Sequence, residues 1–152
     1  MTQEVAMIVT EESVVIERPI EEVFAFFHDP GNVTRYAKNV VSYQHVSGDC
    51  GEVGAVVHHV VKVAGRRLDV TEELTGVEQD KYLRRRGVDT PAPFETEIRF
   101  APAGAEGTRV TWHQESGKFG GLLGKIPDGI VAKLYARNAH SNLENAKTVL
   151  EA

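Results

Sequence analysis

The sequence predicts an α+β fold in which an antiparallel sheet packs against one long C-terminal helix, with two short helices after the first strand. From residue 40 onward, apolar and polar residues alternate with period two between short turn signals, which is typical of strands joined by hairpins. From about residue 129 to 150 the period becomes helical, and this segment would span roughly 30 Å. We expect a single domain over residues 1–152, since this length suffices for one hydrophobic core.

The first forty residues predict the first strand and both short helices. Residues 4–17 are rich in β-branched side chains and are typical of a strand. Pro19 suits the first helical position, and two glutamates follow in the first turn. The turn sequence DPGN at 29–32 ends this helix, and we expect a second short helix at 33–38.

Six further strands are predicted to follow as a meander. Short clusters of glycine, proline and polar residues separate them. Because the connections are short, successive strands must be antiparallel neighbours. The predicted strands are 40–47, 53–63, 66–75, 80–87, 94–101 and 107–116.

The final helix has an apolar face whose side chains are small in its first half. Its members recur at alternating steps of four and three, so they share one side of the helix: Ala132, Ala136, Ala139, Leu143, Ala146 and Leu150. Two interpretations stay open. The face packs closely on the sheet, or its small side chains leave a cavity between helix and sheet.

Composition limits the partners of this chain. With 17 basic and 22 acidic residues the net charge is −5, which argues against nucleic-acid binding. The single cysteine, Cys50, permits neither an internal disulfide nor a thiolate metal cluster. No stretch approaches the ~20 apolar residues of a membrane span, and the N-terminus lacks the pattern of a signal peptide. We therefore expect a cytoplasmic protein without integral membrane association.

Three segments resemble a known superfamily: VIERPIEEVFAFFHDPGNVTRY (15–36), VAGRRLDVTEEL (63–74) and APAGAEGTRVTW (101–112). They are similar to the START/polyketide cyclase/birch-pollen-allergen (SRPBCC) superfamily, in its cyclase/dehydrase and lipid-transport branch, over essentially the whole chain. Tyr36 stands where many relatives carry tryptophan. The resemblance implies the helix-grip fold, a curved antiparallel sheet wrapped around the C-terminal helix with a hydrophobic cavity between them. Fold alone does not determine the chemistry of such a cavity.

Hairpin geometry predicts which side chains face inward. With a turn at residues 64–65, Val63 opposes Arg66 and every second pair lies on the apolar face, which includes His59 opposite Val70 and Val57 opposite Glu72. A turn between residues 78 and 79 would pair Glu72 with Arg85. A one-residue error in any register would reverse the faces.

The run KYLRRRG (81–87) then divides between the two faces of the sheet. Arg84 and Arg86 are predicted to point outward, whereas Arg85 points inward beside Glu72 and opposite Thr96. The Glu72–Arg85 pair is either a self-satisfied buried ion pair or an arginine held ready for a ligand carboxylate, enolate or carbonyl oxygen. His59 is either a general acid–base or a structural, hydrogen-bonded histidine.

Arg85, His59 and Glu72 are thus the candidate catalytic residues. The side chains expected around a bound molecule are Val57, Val61, Val70, Phe94, Thr96, Ile98, Val110, Trp112, Gln114, Tyr135 and Asn138. We expect Asn142 at the rim of the helix. The glycine-rich loop 117–129, with Phe119, Leu122, Leu123 and Ile126, would form either a mobile apolar lid or an ordinary loop. No metal-ligand spacing and no cofactor motif are found, and the sequence gives no indication of oligomeric state.

Three functions remain open. The first is binding of a hydrophobic or aromatic small molecule, lipid- or polyketide-like, in the cavity. The second is a polyketide cyclase, aromatase or dehydratase, in which Arg85 stabilises an enolate and His59 or Glu72 moves protons. The third, implied by the resemblance, is a protein-interaction or natural-product self-resistance role.

Overall fold

The computed structural model describes residues 7–117 and 124–152 and shows one seven-stranded antiparallel sheet that curves around a long helix. The order β1-β7-β6-β5-β4-β3-β2 is a meander from β2 to β7 with β1 added beside β7. The predicted helix-grip architecture is confirmed. The strands are β1 Ile8–Ile16, β2 Val40–Ser47, β3 Val56–Val63, β4 Arg66–Glu78, β5 Tyr82–Asp89, β6 Phe94–Ala103 and β7 Gly107–Ser116.

Two short helices lie between β1 and β2, and a long one ends the chain. Helix α1 spans Ile20–His28 and α2 spans Val33–Tyr36, with a single 3-10 turn, Pro30–Asn32, between them. The carboxylate of Asp29 accepts from the amide of Gly31 at 2.9 Å and so begins this turn. Helix α3 covers Asp128–Glu151. In the described part of the chain, no helix is both long enough and apolar enough to cross a membrane.

The core lies at one end of the space between sheet and helices. Phe24 and Phe27 of α1 pack against Phe100 of β6, with ring centroids 5.4 and 5.8 Å apart. From α3, the C-terminal half contributes Ala139, Leu143 and Ala146, all buried. The first half of the predicted stripe, Ala132 and Ala136, is only half-buried. The predicted stripe is therefore fully buried only at Ala139, Leu143 and Ala146, in the second half of α3.

Two of the predicted hairpin registers are confirmed, and one is wrong. His59 opposes Val70, and Arg85 opposes Thr96. On the next strand, Gln114 lies opposite Thr96. In the β4–β5 hairpin, however, Glu72 pairs with Gly87 rather than with Arg85.

The cause of this shift lies in the turn. Strand β4 continues to Glu78, so the turn falls at residues 79–81, where Asp80 has φ +62. A bulge in β4, between Leu74 and Gly76, changes the register again. The net displacement is two residues, so Arg85 keeps its predicted inward face.

The β2–β3 connection is longer than predicted. Strand β3 begins at Val56 rather than at residue 53. Gly48, Gly51 and Gly54 all have positive φ, a backbone conformation that glycine adopts without strain. The segment 48–55 is consequently a loop, and it separates the two strands by too many residues for hairpin geometry to relate their faces.

Replacing Leu143 by alanine tests the packing of α3. The side chain is 1% exposed, so Leu143→Ala should lower the free energy of unfolding by about 2–5 kcal/mol. Urea unfolding followed by circular dichroism measures this. Glu144→Ala, at the exposed next position, should change it by less than about 0.5 kcal/mol. Equal effects of the two variants would contradict the packing described here.

Candidate ligand-binding site

A cavity of about 500 Å³ lies between the sheet and the N-terminal half of α3. Strands β2 to β7 supply its walls, α2 and the following segment close one side, and α3 covers it. The space lies beside the first half of α3, where Ala132 and Ala136 are only half-buried, while the large aromatic side chains of α1 fill the other end. Its volume lies within the range of small-molecule sites in proteins.

Most of the predicted site residues line this cavity. They are Arg85, His59, Glu72, Val61, Val70, Phe94, Thr96, Trp112, Gln114, Tyr135 and Asn138. The structure places three others elsewhere. Ile98 and Val110 share the inward face but lie further along their strands, in the aromatic core. Val57 borders a gap of about 20 Å³ behind Glu72.

Two further sequence predictions concern the cavity's edges. Asn142, expected at the rim, is 3% exposed and lines the cavity, so that prediction is wrong. The reason is that α3 presents its Asn138–Asn142 side to the open space, where no sheet side chain displaces it. Loop 117–129, for which a lid and an ordinary loop were both open, falls largely outside the described residues, because Phe119, Leu122 and Leu123 are not among them.

A polar cluster occupies the inner end of the cavity. The carboxylate of Glu72, which is 5% exposed, accepts a hydrogen bond from the Tyr43 hydroxyl at 2.5 Å. His59 Nδ1 lies 4.0 Å from the same Glu72 oxygen. Glu72 and Arg85, predicted to lie side by side, are not joined by an ion pair in the described part of the chain. The Arg85 guanidinium donates to the Phe27 carbonyl at 3.4 Å.

Burial controls the charge states of this cluster. It raises the pKa of Tyr36, and that of Tyr43 well above its usual range, although the nearby Arg85 cation opposes both shifts. Burial lowers the pKa of His59, and the Glu72 carboxylate only partly offsets this. Burial disfavours the charge of Arg85, yet Tyr43, Tyr36 and Glu72 together raise its pKa. At neutral pH the phenols are therefore protonated, the imidazole is neutral and the guanidinium is charged.

Other polar groups in the cavity are held by neighbours or face the open space. Trp112 Nε1 donates to Gln114 Oε1 at 3.1 Å, and the Gln114 amide nitrogen donates to Ser116 Oγ at 2.7 Å. The hydroxyl of Tyr135 donates to the Gly117 carbonyl at 3.3 Å, and burial raises its pKa to about 12. By contrast, His59 Nδ1 is buried and has no hydrogen-bond partner within the described structure.

Sequence reasoning missed Tyr43 and gave no role to Tyr36. Tyr43 faces inward because it opposes His59 across the β2–β3 ladder, with ring centroids 5.4 Å apart. Strand β2 carries two irregularities, and the loop at 48–55 hides its register. Tyr36 is fixed from α3, since the Asn145 side chain donates to its carbonyl at 2.9 Å. The sequence did contain one signal for Tyr36, since this tyrosine stands where the superfamily pattern carries tryptophan.

Metal ligation finds no support among residues 7–117 and 124–152. They contain no group of three or more histidine, cysteine, aspartate or glutamate side chains placed to hold an ion. His58 and His59 point to opposite faces of β3, as strand alternation requires.

The curved antiparallel sheet and the long helix that it encloses form a helix-grip fold. Residues 7–151 match the family described as "Polyketide cyclase / dehydrase and lipid transport", and the chain belongs to that family. No protein of curated function matches the chain at a significant level.

Several solved structures share the fold at low identity. One is a protein from Thermus thermophilus, with TM-score 0.82 and 22% identity, covering 93% of this chain and 96% of that one. The Zhui aromatase/cyclase from Streptomyces sp. R1128 has TM-score 0.79 and 19% identity, covering 96% and 94%. A START superfamily protein from Mycobacterium smegmatis has TM-score 0.80 and 10% identity, covering 96% and 98%. At these identities the similarity shows the fold alone.

The electrostatic coupling between Glu72 and His59 predicts a further pKa shift. Because the carboxylate favours the imidazolium, Glu72→Gln should lower the pKa of His59 below its already lowered value. An NMR titration of the imidazole protons measures this. Glu73→Gln, which alters the adjacent carboxylate on the outer face, should leave the His59 titration unchanged. A higher pKa in Glu72→Gln would contradict the geometry of the cluster.

Proposed function

We propose that the protein binds an apolar or aromatic small molecule, lipid- or polyketide-like, in the cavity between the sheet and α3. The observation that carries the proposal is a space of about 500 Å³ with largely apolar walls and a few polar groups gathered at its inner end. This is the usual form of a small-molecule site, in which apolar surface supplies affinity and a few polar groups fix orientation.

The side chains around the cavity suit a ring or a chain with an oxygen atom at its inner end. Trp112 and Phe94 offer flat apolar surface. Arg85 offers donors, and the buried amide of Asn142 offers both a donor and an acceptor. A carbonyl or hydroxyl group would satisfy these groups, whereas a purely aliphatic end would leave them without partners.

Filling the cavity tests this proposal. Val61→Trp places a large side chain in the space and should weaken binding at least about tenfold, because the ligand and the indole compete for one volume. Binding is measured by calorimetry with members of a panel of fatty acids, flavonoids and polycyclic aromatics that shift amide NMR signals of the wild type. The control is Val60→Trp, one residue away on the opposite face of β3. If no panel member shifts cavity residues in the folded wild type, the proposal fails.

A second candidate function is cyclisation, aromatisation or dehydration of a polyketide-like substrate. The observation that favours it is the unpartnered Nδ1 of His59, a neutral imidazole close to a buried carboxylate and a half-buried guanidinium. Arg85 would stabilise the charge that develops on an enolate oxygen, and His59 would accept a proton from the adjacent carbon. The family description and the similarity to an aromatase/cyclase support testing this reaction class.

The pH–rate profile is diagnostic for this second function. The base form of His59 is required, and its pKa is lowered, so turnover of a β-polyketone thioester should persist below the usual histidine range and fall as pH drops through that lowered pKa. His59→Gln should remove this acidic limb and lower kcat about 100-fold or more. Arg85→Ala should abolish turnover, with circular dichroism as the check on folding. Unchanged turnover in a folded Arg85→Ala protein would eliminate this mechanism.

A further inference from the structure

The mouth of the cavity has a charge pattern distinct from that of its inner end. The exposed residues of the lining mark the opening: Lys38, Lys62, Leu134, Arg137 and Ser141. Three of these five are basic, whereas the acidic member of the lining, Glu72, is buried. The local excess of positive charge contrasts with the net charge of −5 for the whole chain.

Two of these cations are placed to meet a ligand. Lys38 follows α2, and the backbone amide of Lys62 donates to the Asn39 carbonyl at 2.8 Å, which holds this segment beside the end of β3. Arg137 lies on α3 one turn after Leu134, at the edge of the cavity. Lys62 lies between two strand residues that face inward, so its side chain projects from the other face of the sheet.

Neither Lys38 nor Arg137 forms an ion pair in the part of the chain that the structure describes. Some basic side chains elsewhere on the surface have acidic partners, as Arg86 has Glu73 at 3.2 Å. The two mouth cations are therefore free to interact with an anionic group, next to the exposed apolar side chain of Leu134, which is 39% exposed.

The inner end of the cavity is unsuited to an anionic group of the ligand. The Glu72 carboxylate interacts with Arg85 there and offsets its charge, and it would repel a second buried anion. Between the two ends the walls are largely apolar, where a charge has no compensating partner. An anionic group is thus favoured at the mouth and disfavoured deeper in the cavity.

We propose that the ligand is an amphiphilic anion whose apolar body fills the cavity and whose carboxylate or phosphate stays at the mouth against Lys38 and Arg137. This inference rests on the proposed binding function and adds the chemical class and orientation of the ligand. Leu134 would cover the part of the apolar body nearest to the charged group.

The test compares three probes with the same apolar chain: dodecanoate, dodecyl phosphate and dodecan-1-ol. Binding is followed by the fluorescence of Trp112, which is the single tryptophan of the chain and lines the cavity. In the wild type, both anions should bind about three- to tenfold more tightly than the alcohol. In the double variant Lys38→Gln/Arg137→Gln this advantage should disappear while the alcohol binds unchanged. A preference for one of the two anions distinguishes carboxylate from phosphate.

Lys133→Gln is the matched control, since it removes a cation from the exposed side of α3 that does not line the cavity. It should retain the preference for anions. Raising the salt concentration should reduce that preference in the wild type, because exposed charges are screened. Equal affinity for all three probes, or a preference that survives in the double variant, would overturn the placement of an anionic group at the mouth. It would leave the proposed binding function intact. Failure of every probe to bind would overturn the amphiphile assignment as well, whereas the binding function on which it rests would fail only if no member of the wider panel of fatty acids, flavonoids and polycyclic aromatics bound.

Discussion

Helix α3 buries its apolar stripe fully in only one of its two halves, and this asymmetry determines the positions of the core and of the cavity. In its second half, alanine and leucine side chains approach the strands closely, and Ala139, Leu143 and Ala146 are buried without residual space. The aromatic side chains of α1 occupy the same end. At the other end, Trp112, Phe94 and Tyr135 line the cavity without filling it, so a volume of about 500 Å³ stays open between sheet and helix. Stability and the capacity to bind are therefore assigned to opposite ends of one helix.

Placing charged groups in that unfilled volume has an energetic cost that the structure offsets locally. Glu72 is almost fully buried, and removing a carboxylate from water is unfavourable unless it is hydrogen-bonded. Tyr43 supplies the hydrogen bond, and Arg85 supplies a compensating charge. The guanidinium is itself anchored to the end of α1 through the Phe27 carbonyl. One helix of the core thus orients the cation of the cavity.

Local patterns in the sequence were sufficient for the architecture and for most strand faces, because alternation and turn signals depend on neighbouring residues. The β3–β4 pairing followed from a two-residue turn, and it is correct. The β4–β5 pairing failed because β4 continues to Glu78 and the turn falls at residues 79–81, and a bulge that no local pattern indicates then changes the register again. Tyr43 was missed because its position depends on a loop of three glycines in left-handed conformations. Ile98 was misplaced because alternation defines a face and not a position along the strand.

The register of the β4–β5 hairpin decides which of the three consecutive arginines on β5 faces the cavity. A displacement by two residues preserves the inward residue, as the observed register demonstrates. A displacement by one would turn Arg85 outward, but it would bring Arg84 or Arg86 to the inner face in its place. Either way a guanidinium enters the cavity. Three consecutive arginines therefore keep a positive charge on the inner face of β5 for either parity of the hairpin register.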